Sequence, residues 1–227
     1  MKKEIISSVI VALGLCCAGI LVYCGLSNIA FKDRFVTVKG LSEKDVQADY
    51  VSWPLHFAVS GNNLQQLSLD CSQQAQRIET FLQQKGFTAE DMHRGTVSLN
   101  DNWDNYYTTR RPEFHYTLNS SVVLSTRKVS LLVSNPDLVN EMIEKGILVQ
   151  SWGMDYQYKS LTELKPSMVA EATQNARVVA QRFADDAQCQ LGSIRNANQG
   201  QFTMENDSEQ PWLIHIRVVS TLQYYLK

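Results

Sequence analysis

The chain has 227 residues, a formal net charge of −2 and a pI near 6.1, room for an anchor plus one large or two small domains. Its 21 Lys and Arg residues are dispersed, with Arg110-Arg111 as one adjacent pair. A nucleic-acid binder carries a basic patch or a high pI, so nucleic acid is not an expected partner.

From Ile5 to Phe31 no residue is charged. As a helix, roughly 27 residues at about 1.5 Å each span about 40 Å, against a hydrocarbon core of about 30 Å. Residues 1–31 therefore read as a single transmembrane signal-anchor. The rival reading is a cleaved signal peptide, whose apolar region is shorter and ends in small residues; Asn28-Ile29-Ala30 fits that poorly. Lys2 and Lys3 before the segment and Lys32 and Arg34 after it nearly balance, so charge does not orient it. Cys16, Cys17 and Cys24 lie inside the apolar run and read as packing residues.

Residues 32–227 read as one α+β domain. Phe35 to Lys39 is a short strand closed by Gly40, and Val46 to Val59 a long one whose alternation changes phase, with Pro54 suggesting an edge or a break. A helix follows: Asn63 caps it, Gln66 is placed for a capping box, and Gly86 ends it. Leu64, Leu67, Cys71, Ala75, Ile78 and Leu82 form its apolar stripe. A strand from Thr96 to Leu99 pairs with one from Phe114 to Thr126 across a polar, aromatic loop at 100–113.

Asn135 and Pro136 open a second helix that Gly146 stops, and Leu148, Trp152, Met154, Tyr156 and Tyr158 alternate along one strand. The longest helix runs from about Thr162 to Gln188 with Pro166 near its start. Its expected stripe is Val169, Ala172, Ala176, Val179 and Phe183, flanked by Ala180, Ala184 and Ala187. Ile194 to Met204 is a weak strand. Leu213 to Leu226 is a strong one, its edge in need of a partner or a cover. The pattern predicts helices layered on mixed or antiparallel sheets, in two α/β sub-domains dividing near 158–162.

Three stretches resemble a known family. Val36-Thr37-Val38-Lys39-Gly40-Leu41-Ser42-Glu43, with Ala48-Asp49 and Trp53-Pro54, is similar to the opening of bacterial SIMPL-domain proteins. Leu164-Lys165-Pro166-Ser167-Met168-Val169-Ala170-Glu171-Ala172-Thr173, Asn175-Ala176-Arg177, Phe183-Ala184 and Leu191-Gly192 extend the likeness. So do Ala197 to Phe202 and Ile216 to Thr221. The resemblance implies an envelope protein with its domain in the periplasm, single-pass in the bacterial inner membrane. It also implies ring-like homo-oligomers and a link to envelope or oxidative stress in some members. It supplies no catalytic residues.

Chemistry in the residues themselves is sparse. His56, His93, His115 and His215 lack helical ligand spacing, and no HExxH occurs. His93 and His115 flank the 100–113 loop, where a metal site competes with the plainer reading of solvated strand residues. Asp101, Asp104 and Asn105 only faintly resemble a calcium loop. Cys71 and Cys189 are expected to be unbridged. No enzymatic activity, cofactor or metal is expected, and no small-molecule ligand can be named. Trp103, Tyr106, Tyr107, Arg110 and Arg111 are the candidate interaction loop, since aromatic and Arg side chains concentrate at binding hot spots. The leading expectation is a non-enzymatic, self-assembling, membrane-anchored envelope protein. The alternative is a periplasmic ligand- or metal-binding domain.

Overall fold

The computed structural model describes residues 14, 18–23, 34–104 and 112–227. Among the described residues no helix is long and apolar enough to cross a membrane. Residues 18–23 are helical, and most of the predicted anchor lies outside the described residues. The rest is α+β with antiparallel sheets. Its strands are β1 (Phe35–Gln47), β2 (Tyr50–Gly61), β3 (Met92–Arg94), β4 (Ser98–Asp101), β5 (Tyr116–Thr126), β6 (Gln150–Ser151), β7 (Asp155–Gln157), β8 (Leu191–Gln199), β9 (Thr203–Asn206) and β10 (Leu213–Leu226). The helices are α1 (Leu64–Gln84), α2 (Val129–Val133), α3 (Leu138–Glu144) and α4 (Leu161–Asp186), with a 3-10 turn at Ala89–Asp91.

The described chain divides into two compact units. One holds residues 34–43, 165–203 and 217–227; the other holds residues 44–104, 112–164 and 204–216. The chain changes unit inside β1, inside α4, inside β9 and inside β10. Only the α4 crossing, between Leu164 and Lys165, falls close to the 158–162 division read from sequence.

In the first unit α4 lies on the sheet ordered β1-β10-β8. Val38, Ala176, Ala180, Leu222 and Tyr224 make its core. The α4 stripe differs from the expected one. Met168, Ala172, Ala176, Ala180 and Ala184 are fully buried at strict four-residue spacing, whereas Phe183 is 54% exposed. Small side chains win the buried face because the strand below comes very close. Gly40 does not close β1 but lies in its middle; a β-carbon there would sit 1.8 Å from the Ala172 carbonyl oxygen and 2.5 Å from the Ala176 nitrogen. The Ser42 hydroxyl donates to Glu171 Oε2 at 2.8 Å and Asn175 Nδ2 donates to the Leu41 carbonyl at 2.8 Å, fixing the helix over the glycine. β10 has no free edge: β1 pairs on one side and β8 and β9, in place of one continuous strand, lie on the other. The partner that this strand was expected to need is thus supplied within its own sheet.

In the second unit the sheet runs β3-β5-β2-β6, with β4 also on β5 and β7 also on β2. The expected long strand from Val46 to Val59 is two strands, split at Ala48-Asp49, which accounts for its phase change. From Val51 onward β2 alternates as predicted, Val51, Trp53, Leu55 and Phe57 being buried beside Thr126, Leu124, Val122 and Ser120. β2 is central, not an edge. Pro54 is accommodated because β7 pairs at 50–52 and β6 at 55–56, leaving 53–54 between them.

α1 covers the apolar face with Leu67, Cys71, Ala75, Ile78, Phe81 and Leu82. The Asn63 side chain accepts from the backbone of Gln65 and Gln66, as a cap should, but the Gln66 amide turns to Asp70 and no capping box closes. Gly86, at φ +97°, ends the helix. The helix expected from Asn135 is α3, which begins at Leu138, and the short α2 that precedes it was not expected. Asp137, after Pro136, precedes α3, while Asn135 bonds back to the Leu131 carbonyl. The strand expected from Leu148 to Tyr158 is broken at Gly153, φ +121°, leaving Leu148 and Trp152 exposed.

Asp49 ties the β1–β2 turn to the chain entering α4. Its carboxylate accepts from the backbone N–H of Lys159 at 2.6 Å and of Ser160 at 2.9 Å. Burial pushes its pKa up. Hydrogen bonds from the Ser160 hydroxyl and both backbone groups, with the charge of Arg127, outweigh that and hold it below the ordinary range. A depressed folded-state pKa contributes stability that is present above the unfolded value, about pH 4, and is lost as pH falls through the folded value. Asp49→Ala is expected to lower stability at pH 7 by about 2 kcal/mol, the scale of hydrogen bonds to a charged group. Denaturant midpoints measured at several pH values check this: the gap to the parent should be full at pH 7 and narrow below about pH 4.

Candidate functional site

The β4–β5 hairpin builds the candidate loop from a polar frame upward. Asp101 Oδ1 accepts from the Trp103 backbone N–H at 2.9 Å and lies 3.1 Å from His115 Nε2. Asn102 Nδ2 donates to the Phe114 carbonyl and to the Thr117 hydroxyl, closing the hairpin below the tip. On this frame three rings stack: Trp103 over His115 at 3.9 Å between centroids, and His115 over Tyr116 at 3.8 Å. Trp103 Nε1–H donates to the Pro112 carbonyl at 3.2 Å, so the indole is held at its edge while 40% of the residue stays exposed. A ring ordered before contact loses little freedom on binding. Tyr106, Tyr107, Arg110 and Arg111, the other predicted members, lie outside the described residues, as does Asn105.

The histidines separate. His93 pairs opposite Val123 on β5. From residue 115 to residue 123 a strand covers roughly 25 Å, so His93 and His115 do not share a site. His215 Nδ1 lies 2.6 Å from Asp45 Oδ1 on the surface, and His56 stacks on Trp152. Asp101 is engaged by the Trp103 backbone N–H and by His115. Among the described residues no group of three His, Cys, Asp or Glu side chains could hold a metal ion. Both domain cysteines are free thiols. Cys71 is buried against the sheet, and that burial pushes its thiol pKa up, which disfavours the reactive thiolate.

Three features escaped sequence reasoning. The ring stack recruits His115 and Tyr116 across the hairpin, which only strand register reveals. Asp49 stood inside an expected strand, and its long-range partners Lys159 and Ser160 carry no local signal. A cleft beside His56 and Trp152 is assembled from four strands. The family model described as SIMPL, protein of unknown function (DUF541), matches residues 36–213. The chain belongs to the SIMPL family. A search of curated proteins found no match. Within this SIMPL protein the first two resembling stretches meet physically: Gly40 and Ser42 from the first face Glu171, Ala172 and Ala176 from the second. The SIMPL pattern in these stretches is therefore a helix-on-strand packing pattern. The hairpin with Trp103 lies inside the matched span but outside those stretches.

Proposed function

We propose that this SIMPL protein is a non-enzymatic, membrane-anchored protein of the bacterial envelope, single-pass in the inner membrane with its domain in the periplasm, and that it self-assembles. The uncharged run from Ile5 to Phe31 supports anchoring. The observation that carries self-assembly is the outer edge of the β4 hairpin. All four β4 residues are exposed, and among the described residues β4 pairs only with β5. Val97 is 59% and Leu99 51% exposed beside it, with the fixed Trp103 ring at its end. An unpaired strand edge flanked by apolar side chains is a template for another chain, and the partner proposed is a second copy. A role in envelope or oxidative stress is the physiological setting that the family resemblance suggests.

Light scattering on a chain starting at Lys32, beside a version with Trp103, Tyr106 and Tyr107 changed to Ser, tests the assembly. A multimer is expected for the parent and a smaller, still folded species for the variant. A parent that is monomeric at about 100 μM, where an interface of even −5.5 kcal/mol half-assembles, removes self-assembly of the domain. The ligand-binding alternative would then lead. A multimer unchanged by the substitutions removes the hairpin tip from the interface.

A further inference from the structure

The outer face of the second unit's sheet, away from α1, holds a cleft of ≈ 390 Å³, within the roughly 300–1,000 Å³ range of small-molecule sites. Register explains how it forms. Gln150, His56 and Ser121 stand abreast on β6, β2 and β5; one row along, Asn119 and Ser98 stand abreast on β5 and β4. Ala58 keeps the floor low between them, and Gly95 keeps the rim low, since a β-carbon there would lie 2.2 Å from Ser121 Oγ.

Trp152 forms the wall. It is 82% exposed, more than any other large apolar side chain described. Its position is nonetheless held. One ring face rests on His56, with centroids 4.8 Å apart and 25° between planes, while the preceding Ser151 hydroxyl accepts the buried Trp53 indole N–H at 2.7 Å. The other face of the Trp152 ring is open to the solvent.

The lining selects a chemistry. Beside His56 and the indole, its polar side chains are amides and hydroxyls, which both donate and accept. Among the described residues no Asp, Glu, Lys or Arg lines it, so none of those side chains offsets the desolvation of a phosphate, a carboxylate or an ammonium group. A ligand suited to it is uncharged, rich in hydroxyls, and has a flat C–H face for the indole. A pyranose ring has all three properties. We propose that the cleft binds a neutral saccharide, one ring stacking on the open face of Trp152 while its hydroxyls bond to Asn119, Gln150 and Ser121.

The test uses the full chain in lauryldimethylamine oxide, a detergent without a sugar headgroup. Maltose and N,N′-diacetylchitobiose are titrated, followed by tryptophan emission and by calorimetry. The expected result is a saturable response to at least one disaccharide with half-saturation near 1–10 mM, on the order of −3 to −4 kcal/mol. Trp152→Ala should weaken it at least about tenfold and Asn119→Ala severalfold, while Phe183→Ala, at an exposed position on α4, leaves it unchanged. Because Trp152 is so exposed, its loss should leave the melting temperature unmoved; if it does not, Ser121→Leu, which fills the floor from an outward strand position, takes its place. Absence of saturation up to about 50 mM with both sugars overturns the proposal, as does binding that survives the cleft substitutions or disappears in Phe183→Ala.

Discussion

Gly40→Ala is expected to destabilise the chain by about 3 kcal/mol or more, enough to leave much of the protein insoluble or partly unfolded at 37 °C. Val36, Val38, Gly40 and Ser42 alternate toward α4 along β1, and at Gly40 the helix backbone itself is the neighbour. A methyl group would meet the Ala172 carbonyl oxygen at 1.8 Å, the Ala176 nitrogen at 2.5 Å and the Ala176 β-carbon at 2.8 Å. Two of these are main-chain atoms that cannot swing aside, so the helix must lift. Lifting it would break the Ser42–Glu171 and Asn175–Leu41 hydrogen bonds and open a void over Ala172 and Ala176, both fully buried.

The sign makes this prediction sharp. Were the site open, replacing a strand glycine by alanine would stabilise by roughly 0.4–1 kcal/mol through the unfolded state. Thermal melts of Gly40→Ala beside Lys39→Ala, on the exposed face of the same strand, decide it: the first should fall steeply and the second by no more than about 0.5 kcal/mol. Ala176→Glu attacks the same contact from the helix side by placing a carboxylate where the parent residue has no exposure, and should be comparably damaging.

Trp53→Ala should cost the second unit about 3–5 kcal/mol, the usual range for deleting a buried aromatic side chain. Trp53 is completely buried between β2 neighbours and the face covered by α1, and its indole N–H donates to Ser151 at 2.7 Å. Trp53→Phe separates the two contributions. It retains most of the apolar volume and loses the hydrogen bond, so about 1–2 kcal/mol is expected. At roughly 2–4 °C of melting temperature per kcal/mol for a chain of this size, the two variants should melt several degrees apart. Equal losses would show that the hydrogen bond, and not packing, dominates at this position. Emission spectra add a second readout: removal of Trp53 should take away the blue-shifted, solvent-shielded component and leave the exposed Trp152 signal.

Much of this fold was legible because periodicity reports burial directly. The α1 stripe from Leu67 to Leu82 and the β10 alternation from Ile214 to Tyr224 both appear as read. These long amphipathic segments have only one way to hide their apolar residues. Errors concentrate where a different constraint governs. Leu148 and Trp152 look like one alternating strand, yet Gly153 takes a left-handed turn and frees the indole. On α4, Ala172 and Ala176 were read correctly as buried, but the ends of the stripe were set one position off, at Val169 and Phe183 where Met168 and Ala184 are buried, because hydrophobicity points to Phe183. Gly40 was read as a strand stop, which is what a lone glycine signals locally; its actual reason is a residue more than 130 positions away.

The sequence by itself determined the class of this protein: an apolar N-terminal segment, an α+β domain, and the paired stretches that mark the SIMPL family. Those are properties of composition, period and local residue order, and they need no knowledge of which elements meet. Tertiary structure alone decided the rest. It placed β10 inside a sheet instead of at its edge, parted His93 from His115, and laid His115 and Tyr116 under Trp103. It also gathered Gln150, His56, Ser121, Asn119 and Ser98 beside Trp152. Each of these outcomes depends on strand register, where a shift of one residue sends every side chain to the opposite face. Register is set by which buried faces pack together across the whole unit, so no local window of the chain contains it.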